Sequence, residues 1–148
     1  MIVPEGGEHN LRRNLPMKFT SIRLIAADIT TMVAFYELVT GQSAEWLAPQ
    51  FAEIVTLGAT LAIGGAETVA LFMEGSAEPG ANRTALLEFK VDDVDSEFTR
   101  LKGKVDVVIA PRLLPWGNRT AQFRDPEGTI ISLFTPVTEA ARARFGSR

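Results

Sequence analysis

The chain carries one local pattern twice, and that duplication constrains its fold more than any other feature. Placing Asp28 on Asp93, an offset of 65 positions, lays Ile22, Arg23 and Leu24 over Leu87, Glu88 and Phe89, Ile29 over Val94, Val33 over Phe98 and Tyr36 over Leu101. In each copy an alternating apolar segment runs into an aspartate suited to cap a helix, and apolar residues then recur at helical spacing. A period of this length, present only twice, indicates a duplicated supersecondary unit whose halves bury a common face.

Strands complete each copy. Residues 18–27 alternate as a strand, Asp28 opens a helix that places Ile29, Met32, Val33 and Tyr36 on one stripe, and Gly41 suits its C-terminal cap. Residues 51–57, 60–63 and 68–73 read as three further strands between glycine-bearing turns. A polar linker at 75–82 resets the pattern. Residues 85–91 then read as a strand, Asp93 caps a helix bearing Val94, Phe98 and Leu101, and 105–110, 119–124 and 129–134 read as strands. Residues 111–118 are expected as a loop. Each copy is therefore a βαβββ unit, and the expected organisation is one domain, residues 17–137, built from modules 17–75 and 83–137. Residues 1–16 read as a leader, disordered or extraneous, and 138–148 as a C-terminal helical tail.

Composition removes whole classes of chemistry. The 148 residues include no cysteine, which excludes a disulfide scaffold, a thiol nucleophile and thiolate-bound zinc or iron–sulfur sites. The one histidine, His9, precedes the repeat, so neither a His-dependent triad nor a multi-His metal site is available inside the domain. A net charge of −3 does not suit a nucleic-acid partner, which needs a basic face. No apolar run is long enough to read as a membrane span, and nothing resembles a signal peptide, so the cytoplasm is the expected compartment. A small-molecule ligand is the expected partner.

The repeated unit resembles a known family. The D-x-x-x-x-x-x-F-Y phrase at Asp28, Phe35 and Tyr36, the V-D-D-V-D phrase at Val91 to Asp95, and W-G-N-R…F-R-D-P-E-G from Trp116 to Gly128 are together similar to the vicinal oxygen chelate superfamily, the glyoxalase, bleomycin-resistance protein and extradiol dioxygenase group. The resemblance covers about residues 17–136 and implies an α+β fold in which paired βαβββ modules form a half-open barrel with a concave site. It also implies a homodimer with sites lined partly by the partner chain. The family's metal enzymes place ligands on the first strand of each module, seven residues before the capping acid, and on each last strand. Those positions hold Ser21, Leu86, Leu71 and Ser132 here, none of them a histidine or carboxylate. Serine hydroxyls are poor ligands for divalent transition metals and leucine is none. The expectation is a site with no metal and no cofactor.

Strand alternation assigns the inward residues. Arg23 shares a face with Ser21; Glu88 shares one with Leu86; Ile130 and Phe134 share one with Ser132. Arg23 and Glu88 are pseudo-symmetric, each five residues before its capping aspartate. They read either as a half-buried, mutually satisfied ion pair, or as ligand-binding groups in which Arg23 holds an anionic or carbonyl group and Glu88 orients it or binds an amine. Trp46 and Phe51, which flank a loop before a strand, and Trp116, in the P-W-G-N-R loop, read as pocket walls or as edge packing. On the strand after Trp116, Arg119, Gln122 and Arg124 are the polar candidates, alternation lets only one parity face inward, and Gln122 is the preferred one. The turn Asp125-Pro126-Glu127-Gly128 reads as a fold marker, and Asp92, Asp93, Asp95 and Glu97 as the acidic first turn of a helix. The expected function is metal-independent small-molecule binding that sequesters an amphipathic or aromatic compound. The alternatives are a metal-free lyase or isomerase with Glu88 as base and Arg23 as stabiliser, then a metal-dependent glyoxalase or dioxygenase.

Overall fold

A computed structural model describes residues 17–146; the expected leader, residues 1–16, lies outside the described residues. Strand β1 (Ser21–Ala26) is followed by helix α1 (Ile29–Thr40), then β2 (Glu45–Ala48), β3 (Phe51–Val55) and β4 (Thr60–Gly65). After a 3₁₀ helix, Ala66–Leu71, the second copy runs β5 (Leu87–Lys90), α2 (Val94–Leu101), β6 (Asp106–Leu113), β7 (Asn118–Arg124) and β8 (Ile130–Pro136), and α3 (Glu139–Phe145) ends it. Both copies close the same way, with sheet orders β1-β4-β3-β2 and β5-β8-β7-β6 and the first strand parallel to the last. The α+β architecture of two βαβββ modules is present. The two sheets do not close on one another, and β1 and β5 each remain an edge strand.

The helix boundaries follow from local chemistry. Asp28 caps α1 by accepting from the Thr31 N–H at 3.1 Å and its hydroxyl at 2.7 Å, and Gly41 ends the helix at φ 69°, a left-handed conformation that glycine adopts without strain. Asp93 caps α2 in the same manner through Ser96. One core joins the modules: Met32, Val33 and Tyr36 of α1 pack with Ile54 and Ile63 of the first sheet and with Leu101, Phe123, Ile131 and Leu133 of the second copy.

Three expectations are corrected. Residues 45–48, read as a loop, form β2, a four-residue edge strand too short to show alternation. Residues 68–73, read as a strand, lie largely in the 3₁₀ helix, where the Thr68 hydroxyl donates to the Gly65 carbonyl at 2.7 Å and closes a local turn that competes with extended structure. Strand β6 runs on through Pro111 to Leu113. It tolerates the proline because it is an edge strand whose register shifts between Ile109 and Arg112, where no ladder N–H is required.

The Asp125–Gly128 turn is the expected hairpin, with Gly128 at φ 96°, and it also clasps the two modules together. Asp125, 4% exposed, accepts from the Tyr36 hydroxyl at 2.6 Å and from the N–H groups of Glu127 and Thr129 at 2.8 and 3.0 Å. The Glu127 carboxylate reaches the start of α1 and accepts from the N–H of Ala27 at 2.8 Å. At the far end of α1, Arg100 of α2 donates to the carbonyls of Leu38 and Val39 at 2.6 and 2.9 Å. Such groups at a helix end otherwise lack partners.

Candidate functional site

Each sheet has one face against the helices and one turned away from them. Ile22, Leu24, Leu87 and Phe89 pack on the core, so Arg23 and Glu88 lie on the open faces as alternation predicts. On the first sheet the register sets Arg23 beside Ala62, and Ala62 beside Glu53; on the second it sets Glu88 beside Ser132, and Ser132 beside Gln122.

The first open face brings Arg23 together with Phe51, the guanidinium carbon lying 4.7 Å from the ring centroid, a cation–π contact. Ser21 begins β1 opposite Thr60 and is exposed. The structure does not bring Arg23 to Glu88. Among the described residues the ion pairs are Arg100–Glu97 and Arg119–Asp95, and both Arg23 and Glu88 are exposed. The pairing expectation therefore gives way to stacking on Phe51. Glu88 also lacks the apolar enclosure that would suit a catalytic base.

Leu71 and Trp46 are corrected as site residues. Leu71 is 83% exposed in the 3₁₀ helix, and the last strand of the first module is β4. The residue equivalent to Ser132 is Ala62, because Arg23 partners Ala62 as Glu88 partners Ser132. Trp46 partners Ala52, a core residue, so it lies on the helix side of its sheet, away from Phe51. Trp116 stands in the β6–β7 connection, half exposed, with its carbonyl accepting from Arg144 of α3 at 3.3 Å.

The second open face is divided. At one end α3 lies across it: Phe145 sits on Phe134 with ring centroids 5.0 Å apart, Lys90 donates to the Phe145 carbonyl at 3.3 Å, and Ala141 is fully buried. Gly117, at φ 93°, permits this approach, since a Cβ there would meet the Thr138 hydroxyl at 2.0 Å. The tail is thus a docked helix. In the middle, the Gln122 amide donates to the buried Ser132 hydroxyl at 2.9 Å, so alternation placed Gln122 correctly. Arg119 has the opposite parity and pairs with Asp95 of α2 at 2.7 Å, a bond that holds the Asp95 carboxyl below the usual range. At the other end Arg83, Leu86, Arg124, Gly128 and Ile130 surround a cavity of about 180 Å³. Ile130 and Arg124 share the inward parity of Ser132 and Gln122, whereas Arg83, before the strand, has no such signal in the sequence pattern.

The donor set does not fit the metal that the family resemblance implies. Ser21, Ala62, Leu86 and Ser132 supply two hydroxyls and two hydrocarbon groups, and the Ser132 hydroxyl already accepts from Gln122. Among the described residues no three His, Cys, Asp or Glu side chains gather where they could hold an ion. No helix among them is long and apolar enough to cross a membrane.

Residues 18–133 match the family described as the Glyoxalase/Bleomycin resistance protein/Dioxygenase superfamily. The uncharacterized protein YraH of Bacillus subtilis (strain 168) is 32% identical over 125 residues, covering 80% of this chain and 98% of that protein. A glyoxalase/bleomycin resistance protein/dioxygenase family enzyme from Burkholderia phytofirmans PsJN superposes with a TM-score of 0.72 at 21% identity, over 82% of this chain and 100% of the other. A glyoxalase/bleomycin resistance protein/dioxygenase from Nocardioides does so with a TM-score of 0.70 at 20% identity, over 90% of this chain and 95% of the other.

Proposed function

We propose that this chain, which belongs to the glyoxalase/bleomycin resistance protein/dioxygenase superfamily, is a metal-independent binding protein that sequesters an amphipathic or aromatic small molecule on its open sheet faces. One observation carries the reading: the four positions where the family's metal ligands belong hold Ser21, Ala62, Leu86 and Ser132, which suit hydrogen bonding and apolar contact and do not suit a divalent cation. Arg23 stacked on Phe51, the Gln122–Ser132 bond and the half-exposed Leu86 supply a mixed polar and apolar surface. The working form is a homodimer. The two sheets of one chain leave β1 and β5 as free edges, and side chains such as Val55 and Leu86 on the open faces stand 58% and 42% exposed, which a second copy would cover.

Titration of the purified protein with a library of polyaromatic natural products and metabolites, followed by tryptophan fluorescence and thermal shift, tests the reading. Saturable binding that persists after chelation is expected. A stoichiometric divalent metal in elemental analysis, lost together with binding on chelation, overturns metal independence. Light scattering on a sizing column is expected to give twice the chain mass, and a monomer at micromolar concentration removes the dimer.

A further inference from the structure

The cavity at the entrance to β5 is lined by two arginines that form no ion pair with a carboxylate of the described residues. Asn82 folds the approach to this strand into a tight turn: its side-chain oxygen accepts from the N–H groups of Thr84 and Ala85 at 3.3 and 3.1 Å, and its amide donates to the Ala85 carbonyl at 3.0 Å. The same amide reaches the Thr129 hydroxyl at 3.3 Å, fixing the turn to the entrance of β8. Arg83 lies inside this turn and Arg124 on the neighbouring strand β7, and both line the cavity with Leu86 and Ile130. Arg124 makes one long hydrogen bond, 3.4 Å to the Gly128 carbonyl. Neither guanidinium pairs with a carboxylate of the described residues. Asp106, the cross-strand neighbour of Arg124, and Glu88, two residues beyond Leu86, form no ion pair with either.

Two like charges facing one small space repel each other, and an anion between them removes that cost. Guanidinium groups bind oxyanions through paired N–H donors, and Leu86 and Ile130 add hydrocarbon wall beside them. The volume is informative. An apolar cavity of roughly 150 Å³ accepts a benzene ring, so about 180 Å³ beside two arginines takes a ring or short alkyl group together with a carboxylate.

We propose that this cavity is an anion subsite for a small aromatic or alkyl carboxylate, held by Arg83 and Arg124 with its hydrocarbon part on Leu86 and Ile130. The inference rests on the binding function proposed above and gives the ligand a charge. NMR titration of the full chain with sodium benzoate, benzamide and inorganic phosphate tests it, read at the arginine Nε–Hε and the Leu86 and Ile130 methyl signals. Benzoate at millimolar concentration is expected to shift all four residues saturably and to bind at least about ten-fold more tightly than benzamide, the charge-assisted bonds making the difference. Arg83→Gln and Arg124→Gln are each expected to weaken benzoate about ten-fold and leave benzamide unchanged. Arg124→Lys should retain part of the affinity, as a point charge without the fork. Arg83 is exposed, so Arg83→Gln reports even if Arg124→Gln fails to fold. Equal binding of benzamide overturns the anion subsite while leaving the general binding reading in place. Phosphate binding as tightly as benzoate overturns the carboxylate assignment. No benzoate response at these four residues overturns the subsite outright, and saturable polyaromatic binding elsewhere on the open faces would then show that the wider reading survives.

Discussion

Helices α1 and α2 occupy equivalent places in the two modules and differ in how much of them is enclosed. Five residues of α1, namely Met32, Val33, Phe35, Tyr36 and Val39, are buried, whereas α2 buries Val94 and Leu101 and carries Asp95, Glu97 and Arg100 on its surface. The sequences account for this, twelve mostly apolar residues in α1 against eight in α2, and the connections differ as well. The β7–β8 turn of the second module supplies Asp125 and Glu127 to the first, while the equivalent β3–β4 turn, residues 56–59, is closed by the Thr56 hydroxyl on the Ala59 carbonyl and carries no carboxylate. A duplicated fold has become an unequal pair in which the second module holds the first.

That inequality can be broken residue by residue. Asp125→Ala is expected to cost the most, about 3 kcal/mol or more in urea unfolding, because it strips the acceptor from three donors in a buried place. Tyr36→Phe should cost about 2 kcal/mol by leaving that carboxylate short of one donor, and the double variant should show strong coupling between the two sites. Equal and additive losses at the two positions would show that the hydrogen bond is not what joins the modules. Arg100→Ala should cost about 1 kcal/mol, since the carbonyls it caps remain partly solvated.

Two pH experiments sharpen the comparison. Burial and the bond to Asp125 push the Tyr36 phenol far above its ordinary value, and it is the one tyrosine in the chain. Its raised folded pKa means that the contribution is complete below the unfolded phenol value. It is lost as pH rises above ~10, by up to about 1.4 kcal/mol per pH unit. Tyr36→Phe should remove that component of the alkaline slope. The caps behave oppositely. Side-chain bonds from Thr31 and Ser96 hold the carboxyls of Asp28 and Asp93 below the usual range, so their contribution is complete above that range and fades as pH falls through it. Asp28→Asn and Asp93→Asn should each flatten this acid limb. The smallest effect is expected at the solvent-exposed Arg119–Asp95 pair, where Arg119→Gln should leave the unfolding midpoint within error of the parent.

Sequence alone revealed the duplication and the facing of Arg23, Glu88, Gln122 and Ser132, because alternation and capping are local rules that repeat twice. It missed β2, since four residues before a proline show too little alternation, and it read Thr68 as extended because β-branched composition does not announce a hydroxyl that bonds back to Gly65. The Arg23–Phe51 contact depends on strand register, which parity does not determine. The Asp125–Tyr36 bond was the hardest to foresee. Its one clue is a tyrosine on an otherwise apolar stripe, whose hydroxyl requires a partner when buried.

The clasp between Glu127 and the start of α1 spans 100 positions of chain. The ribosome delivers Ala27 and Tyr36 about ninety to a hundred residues before Glu127 and Asp125, the groups that accept their hydrogen bonds. Contacts this distant slow folding, because loop closure must precede the bonds that repay it. The bonds at Ala27 and Tyr36 therefore form only once the second βαβββ unit has been made.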